Sequence, residues 1–191
     1  VNLGEDYVNR PNSAGAPPGA VEYKIVDPDG VVLPAGEVGE LWCKGPMNCK
    51  AYWNKPEASA ETFIDGWVVT GDLARLDEEG FLYLVDRAKD MLIRGGENIF
   101  PREIEDFLYT NPKIDQVEVI GVPDEKYGEE VCAWIQLKEG EVLSEDEIRA
   151  FCKKNIAYFK VPRYIRLVKE FPMTVTGKIQ KFELRKVAVE L

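Results

Sequence analysis

Residues 81–90, Phe81-Leu82-Tyr83-Leu84-Val85-Asp86-Arg87-Ala88-Lys89-Asp90, decide how the chain is organised. The first five form an apolar run of strand character, and the charged stretch after them ends it. Upstream, short strand-like runs are joined by turns alone. Val21-Glu22-Tyr23-Lys24-Ile25-Val26 alternates toward an Asp27-Pro28-Asp29-Gly30 turn, and residues 39–44 and 67–69 repeat the pattern. Downstream, strands alternate with amphipathic helices. Pro101 opens a helix that carries Ile104, Phe107 and Leu108 on one face, and residues 117–122 and 131–137 follow as strands. Ser144 and Glu147 make a capping-box pattern ahead of Ile148, Phe151 and Cys152, and residues 164–168 complete a β-α-β-β-α-β order.

This pattern places the chain in the α+β class. Residues 1–86 read as a small antiparallel β-rich, barrel-like subdomain, and residues 87–191 as a compact α+β domain with a mixed sheet and helices on one side. Residues 1–20, rich in Pro, Gly, Asn and Ala, read as an irregular lead-in. A single helix interrupts the first part: Asn54 is its expected cap, Pro56 suits its first turn, and Asp65-Gly66 ends it. Residues 181–191 favour a helix without a defined stop.

The composition, 191 residues with 45% hydrophobic and 30% charged, is that of a globular chain with one large or two small domains. A net charge of −10 without any Lys/Arg-dense run disfavours nucleic acid or an anionic membrane as partner. Four cysteines and no histidine leave no zinc set, so no metal site is expected. Cys132 and Cys152 sit among apolar neighbours, which suits reduced buried thiols and a cytoplasmic location. No apolar run reaches the roughly 20 residues of a membrane helix, and the first residues lack a signal pattern. The missing initial Met leads us to expect that Val1 is not a natural start.

Four clusters carry chemistry. Asp72, in Val69-Thr70-Gly71-Asp72 at an expected strand end, can accept both vicinal hydroxyls of a ribose, with Gly71 allowing close approach; taken alone, it reads more readily as an Asp closing a turn. Arg87 offers a planar fork to ribose oxygens or a phosphate, or is a strand-end surface arginine. In Arg94-Gly95-Gly96-Glu97-Asn98 the paired glycines permit a slender ligand to pass or make a tight turn; the spacing fits neither the dinucleotide fingerprint nor the Walker loop. Phe171-Pro172-Met173-Thr174-Val175-Thr176-Gly177-Lys178 reads as a flexible polar loop in which Lys178 is, taken alone, an ordinary solvated lysine, and otherwise a mobile point charge.

In order along the chain, Tyr52-Trp53-Asn54-Lys55-Pro56-Glu57, residues 66–72, Asp86-Arg87-Ala88-Lys89-Asp90, Gly95-Gly96-Glu97-Asn98, Tyr158-Phe159-Lys160-Val161-Pro162 and Thr176-Gly177-Lys178 resemble the acyl-CoA synthetase, luciferase and peptide-synthetase adenylation superfamily. The resemblance implies that this is the C-terminal portion of an ATP-dependent acyl-CoA ligase, most like the fatty-acid type, long-chain enzymes included. Residues 1–86 would be the last subdomain of a large N-terminal adenylation domain, and residues 87–191 its mobile lid. Asp72 and Arg87 would bind the nucleotide, Lys178 would be the adenylation lysine, Lys89 the hinge, and Gly95 and Gly96 would line the coenzyme A channel. ATP and CoA would be substrates together with a carboxylic acid. The phosphate loop and the Mg-ligating glutamate of the family do not occur here, so Mg would be bound mainly outside this chain, and the piece alone is expected to be inactive. The competing reading is a noncatalytic nucleotide- or CoA-binding module, or another adenylate-forming enzyme.

Overall fold

The computed structural model describes residues 2–188, which form two compact units dividing between Lys89 and Asp90. The sequence pattern put the division at 86/87. It falls three residues later because the strand entering the boundary continues through Arg87, which pairs with Asp72 on its neighbour.

The first unit holds α1 (Glu5–Asn9), β1 (Glu22–Val26), β2 (Gly39–Lys44), α2 (Pro56–Thr62), β3 (Phe63–Ile64), β4 (Trp67–Leu76) and β5 (Leu82–Arg87). All pairings are antiparallel, in the order β1-β2-β4-β3 with β5 also on β4. Register shifts at Glu40/Trp42 and Leu73/Ala74 bend β4, so the barrel-like expectation is met by an open, curled sheet. The period-2 alternation sorts the faces. Ile25, Leu41, Ala74 and Leu82 are buried on one face, with Tyr23, Cys43 and Leu76 against them. On another part of the sheet the Lys24 ammonium lies 4.3 Å and 4.5 Å from the Trp42 and Trp67 ring centres.

Three local expectations fail here. The lead-in is not wholly irregular, since Glu5–Asn9 is helical and Arg10 pairs with Glu79 and lies 4.1 Å from the Phe81 ring centre. Asn54 does not cap α2: it takes a positive φ of 52°, and Lys55 holds the cap position without a side-chain bond. Asp72 does not end a strand, because β4 runs on through Leu76.

The second unit holds β6 (Leu92–Arg94), β7 (Glu97–Ile99), α3 (Pro101–Tyr109), β8 (Ile114–Asp124), β9 (Gly128–Leu137), α4 (Glu145–Asn155), a 3-10 turn (Tyr158–Lys160), β10 (Tyr164–Val168) and α5 (Lys181–Ala188). The sheet is mixed: β8 runs antiparallel to β9 and β10 parallel to it, while β6 meets β9 at the pair Arg94 and Gly128. Ser144 caps α4 in a full capping box with Glu147.

Successive β9 residues point to opposite faces, and both faces are covered. Val131, Ala133 and Ile135 pack with Ile104 and Leu108 of α3 and Ile148 and Cys152 of α4. Cys132 and Trp134 pack with Phe171 and with Leu184 and Ala188 of α5. The one-sided arrangement expected from the β-α-β-β-α-β order is thereby corrected. The segment after β10 carries its own apolar stripe, which buries the face that would otherwise be open to water.

The outer edge of β8 is closed by side chains. Glu105 Oε1 accepts the Val119 N–H at 2.8 Å, the Tyr109 hydroxyl accepts the Val117 N–H at 3.3 Å, and Lys181 bridges Glu105 and Glu118 at 2.8 Å and 3.0 Å. An edge whose N–H groups are occupied does not template further strands.

Candidate active site

Asp72 and Arg87 stand directly opposite each other on β4 and β5, with Arg87 Nε 3.1 Å from Asp72 Oδ1. The local chain is shaped for this. Gly71 adopts φ +72° inside a strand, where a side chain would be strained, and its carbonyl accepts the Ala88 N–H at 2.9 Å. A Cβ at Gly71 would lie 3.7 Å from Arg87, ordinary contact, so the glycine serves backbone conformation rather than close approach. Thr70 supports the kink: its hydroxyl donates to the Leu41 carbonyl at 2.8 Å and accepts the Asp72 N–H at 3.1 Å.

Side-chain exposures of 38% for Asp72 and 53% for Arg87 keep the pair wet. Such a pair contributes at most about 1 kcal/mol to the fold, so either partner can exchange the other for a ligand at little cost. Beside it, the Cys43 thiol is pushed up in pKa, first by burial and then by the Asp72 charge.

Lys89 is exposed in the turn 88–90, and the residue after it is anchored: Asp90 is buried and accepts a hydrogen bond from Arg185 Nη2 of α5 at 2.8 Å. Gly95 and Gly96 form the two-residue turn of the β6–β7 hairpin, with Arg94 opposite Glu97 and φ of 60° and 91°. Two positive φ values match the twist of a right-handed hairpin, the conformation that glycine adopts without strain.

Arg94, next to this turn, reaches inward. Its Nε and Nη2 donate to the two oxygens of the fully buried Glu130 at 2.8 Å and 2.7 Å. Those hydrogen bonds raise the guanidinium pKa, so Arg94 remains cationic. Neither Glu130 nor its neighbour Tyr127 stood out in the sequence. The one available signal was a pair of carboxylates, Glu129 and Glu130, at the head of the apolar run Val131-Cys132-Ala133-Trp134.

Lys178 lies on a hydrogen-bonded turn. Thr174 N–H donates to the Lys178 carbonyl at 2.8 Å, Gly177 N–H donates to the Thr174 carbonyl at 2.9 Å, and the Thr174 hydroxyl accepts the Lys178 N–H at 3.1 Å. Gly177 supplies φ +78°, and Met173 bridges Ile179. The Lys178 side chain is exposed and, among the described residues, has no ion-pair partner.

Asp72 and Arg87 are thus brought together in the first unit, while Gly95, Gly96 and Lys178 belong to the second. All four cysteines are free: Cys132 and Cys152 are buried as expected, Cys43 is half-buried and Cys49 is exposed. Among the described residues no three His, Cys, Asp or Glu side chains converge as a metal site would require, and no helix is long and apolar enough to cross a membrane.

Comparison with known proteins gives consistent matches. The family described as AMP-binding enzyme matches residues 2–53, and the AMP-binding enzyme C-terminal domain matches residues 103–178, ending on Lys178. The medium-chain acyl-CoA ligase ACSF2, mitochondrial, of Bos taurus is 47% identical over 97% of this chain and 31% of its own length. The o-succinylbenzoate CoA synthetase MenE of Bacillus subtilis, solved with the acyl-adenylate intermediate OSB-AMP, superposes with a TM-score of 0.88 at 36% identity, over 95% of this chain and 37% of that one. The amide bond synthetase McbA of Marinactinospora thermotolerans superposes with a TM-score of 0.86 at 34% identity, over 96% and 38%. The chain spans about a third of the length of the relatives it matches. With both models in chain order and the likeness running through nearly every residue, the chain belongs to the AMP-binding, adenylate-forming enzyme family, and its second unit carries that family's C-terminal domain.

Proposed function

We propose that the whole protein is an acid–thiol ligase that joins a carboxylic acid to coenzyme A through an acyl-adenylate, releasing AMP and pyrophosphate. The observation that carries this reading is the Asp72–Arg87 pair, a half-buried carboxylate facing an exposed guanidinium at 3.1 Å on adjacent strands. Asp72 accepts the two ribose hydroxyls, and Arg87 moves from the carboxylate to the ribose and phosphate region. Lys178, a cation on a bonded turn with no ion-pair partner among the described residues, places positive charge between the acid's carboxylate oxygen and the α-phosphate. It stabilises the charge that builds as the P–O bond to pyrophosphate breaks, without taking a proton. After adenylation, rotation at Lys89 brings the Gly95–Gly96 turn to the site, where it lines the passage for the CoA thiol. The thiol sulfur then attacks the acyl carbonyl, and AMP leaves.

Mg belongs to the same proposal as a charge partner of the ATP phosphates. The described residues offer no three-ligand set for it, so no step above passes through it. The acid is a fatty acid on this reading, supported by the likeness to a medium-chain acyl-CoA ligase. The residues before Val1 would supply the phosphate loop and the acyl pocket, and a cytoplasmic location goes with the four free thiols.

The test is CoA-dependent AMP and pyrophosphate formation by the full-length protein with acids from acetate to long-chain and aromatic acids. Activity is expected on aliphatic acids, and Lys178→Ala is expected to lower the adenylation rate about 100-fold or more, as loss of a transition-state charge does. No CoA-dependent AMP from any acid overturns the ligase reading.

A second reading, another adenylate-forming enzyme with an amine as acceptor, is favoured by the match to McbA. Amide product with an amine in place of CoA would select it. Calorimetric binding of AMP or CoA with no turnover by the full-length protein would select a noncatalytic binding module instead.

A further inference from the structure

The Gly95–Gly96 turn has little orientation of its own. Two adjacent glycines at positive φ have the widest conformational freedom the chain offers, and pairing with β9 contributes a single register pair, Arg94 with Gly128. Its direction is imposed from the start of β9. Glu129 Oε2 accepts the Ile93 N–H at 2.7 Å, the Tyr127 carbonyl accepts the Gly95 N–H at 2.9 Å, and Glu130 takes both donors of the Arg94 fork. The Tyr127 ring lies 4.4 Å from the Arg94 guanidinium, and a Cβ at Gly95 would come within 3.1 Å of that ring.

Glu130 is an expensive way to stabilise a fold. It is 0% exposed, and the desolvation of a buried carboxylate and a guanidinium cancels most of their attraction, so apolar residues of equal volume hold such a site as well or better. What an ion pair supplies and an apolar pair does not is a fixed planar geometry.

We propose that Glu130 is the positioning residue of the Gly95–Gly96 turn, acting through Arg94 to hold the turn in the orientation that admits the thiol acceptor. This rests on the reading of the turn as the acceptor's passage. Glu130 touches no substrate, and its effect belongs to the second half-reaction alone.

The test uses the full-length protein with two variants. Arg94→Lys keeps the charge and loses the fork; Arg94→Met with Glu130→Met removes the fork and its acceptor, keeps the volume, and leaves Arg163, 3.7 Å from Glu130 Oε1 and half-exposed, to water. Measured are amide hydrogen exchange over residues 92–99, the melting temperature, adenylation by pyrophosphate exchange, and the KM for CoA. For Arg94→Lys, exchange at Gly95 and Gly96 and the KM for CoA are both expected to rise roughly tenfold, the size of a lost charge-assisted hydrogen bond, with adenylation within about twofold. The double variant is expected to melt close to the parent while its KM for CoA stays raised. Recovery of KM along with melting temperature would make Glu130 purely structural and overturn the proposal, as would a parallel fall of both half-reactions. A parent enzyme without any CoA-dependent turnover overturns the reading of the turn as a passage. Exchange at Gly95 and Gly96 then decides alone, with unchanged exchange in Arg94→Lys refuting the positioning claim and faster exchange upholding it.

Discussion

Asp72 and Arg87 show how little of a candidate site's geometry serves stability. Both are substantially exposed, so Arg87→Ala is expected to change the stability of the first unit by less than about 1 kcal/mol in chemical denaturation. The same substitution in the full-length protein is expected to weaken AMP binding about tenfold by calorimetry, since a charge-assisted contact is lost; unchanged AMP affinity would remove Arg87 from the nucleotide site. The buried thiols behave oppositely. Burial pushes Cys132 and Cys152 from 9.0 up to about 11. A raised pKa means the native state holds the proton more tightly than the unfolded chain. The stability this represents is therefore complete below pH 9 and is lost as pH rises through 11. Denaturation midpoints should fall over that window, and Cys132→Ala with Cys152→Ala should flatten the fall. At neutral pH a thiol reagent should modify exposed Cys49 and leave Cys132 and Cys152 untouched until unfolding.

Three of the candidate residues, Gly95, Gly96 and Lys178, lie on turns, whereas Asp72 and Arg87 lie on strands. In the β6–β7 hairpin, Gly95→Ala is expected to destabilise the second unit by about 1–2 kcal/mol, because φ of 60° strains a side chain and the added Cβ meets Tyr127 at 3.1 Å. Gly95→Asn should cost less than Gly95→Ala, because Asn tolerates the left-handed region; equal losses in urea denaturation would point to crowding by Tyr127 as the whole effect. The α4 cap offers a control away from the site. Ser144→Ala removes the hydroxyl half of the capping box, the bond accepted from the Glu147 N–H, and keeps the backbone half; it is expected to cost about 1 kcal/mol, with no change in either half-reaction.

Across the whole molecule, the two units differ in what holds them. Among the described residues, the buried cluster of the first comprises Ile25, Leu41, Ala74 and Leu82, whereas the second has clusters of fourteen and seven on the two faces of its sheet. Stability follows buried apolar area, so calorimetry should resolve two transitions, the first unit melting earlier, and a fragment of residues 90–191 should reproduce the later one. A single transition for the whole chain would refute this. The hinge reading predicts that Lys89→Pro, by fixing φ at the unit boundary, slows thioester formation more than adenylation; equal loss of both refutes it. Period-2 runs and a capping box are local, and so β1, β2, α3, α4 and β10, the α+β class and the candidate residues Asp72, Arg87, Gly95, Gly96 and Lys178 were legible in the sequence. The roles of those residues came from the resemblance of ordered motifs, not from periodicity. What the sequence could not determine depends on partners distant along the chain: the run of β4 through Asp72, permitted by the Gly71 φ and the Thr70 bonds; the burial of the second sheet face by α5; and the meeting of Arg94 with Glu130. Local propensity reads a residue's neighbours in sequence. A bulge, a covered face and a buried charge pair are chosen by neighbours in space, where unpaired polar groups and exposed apolar surface are too costly to leave.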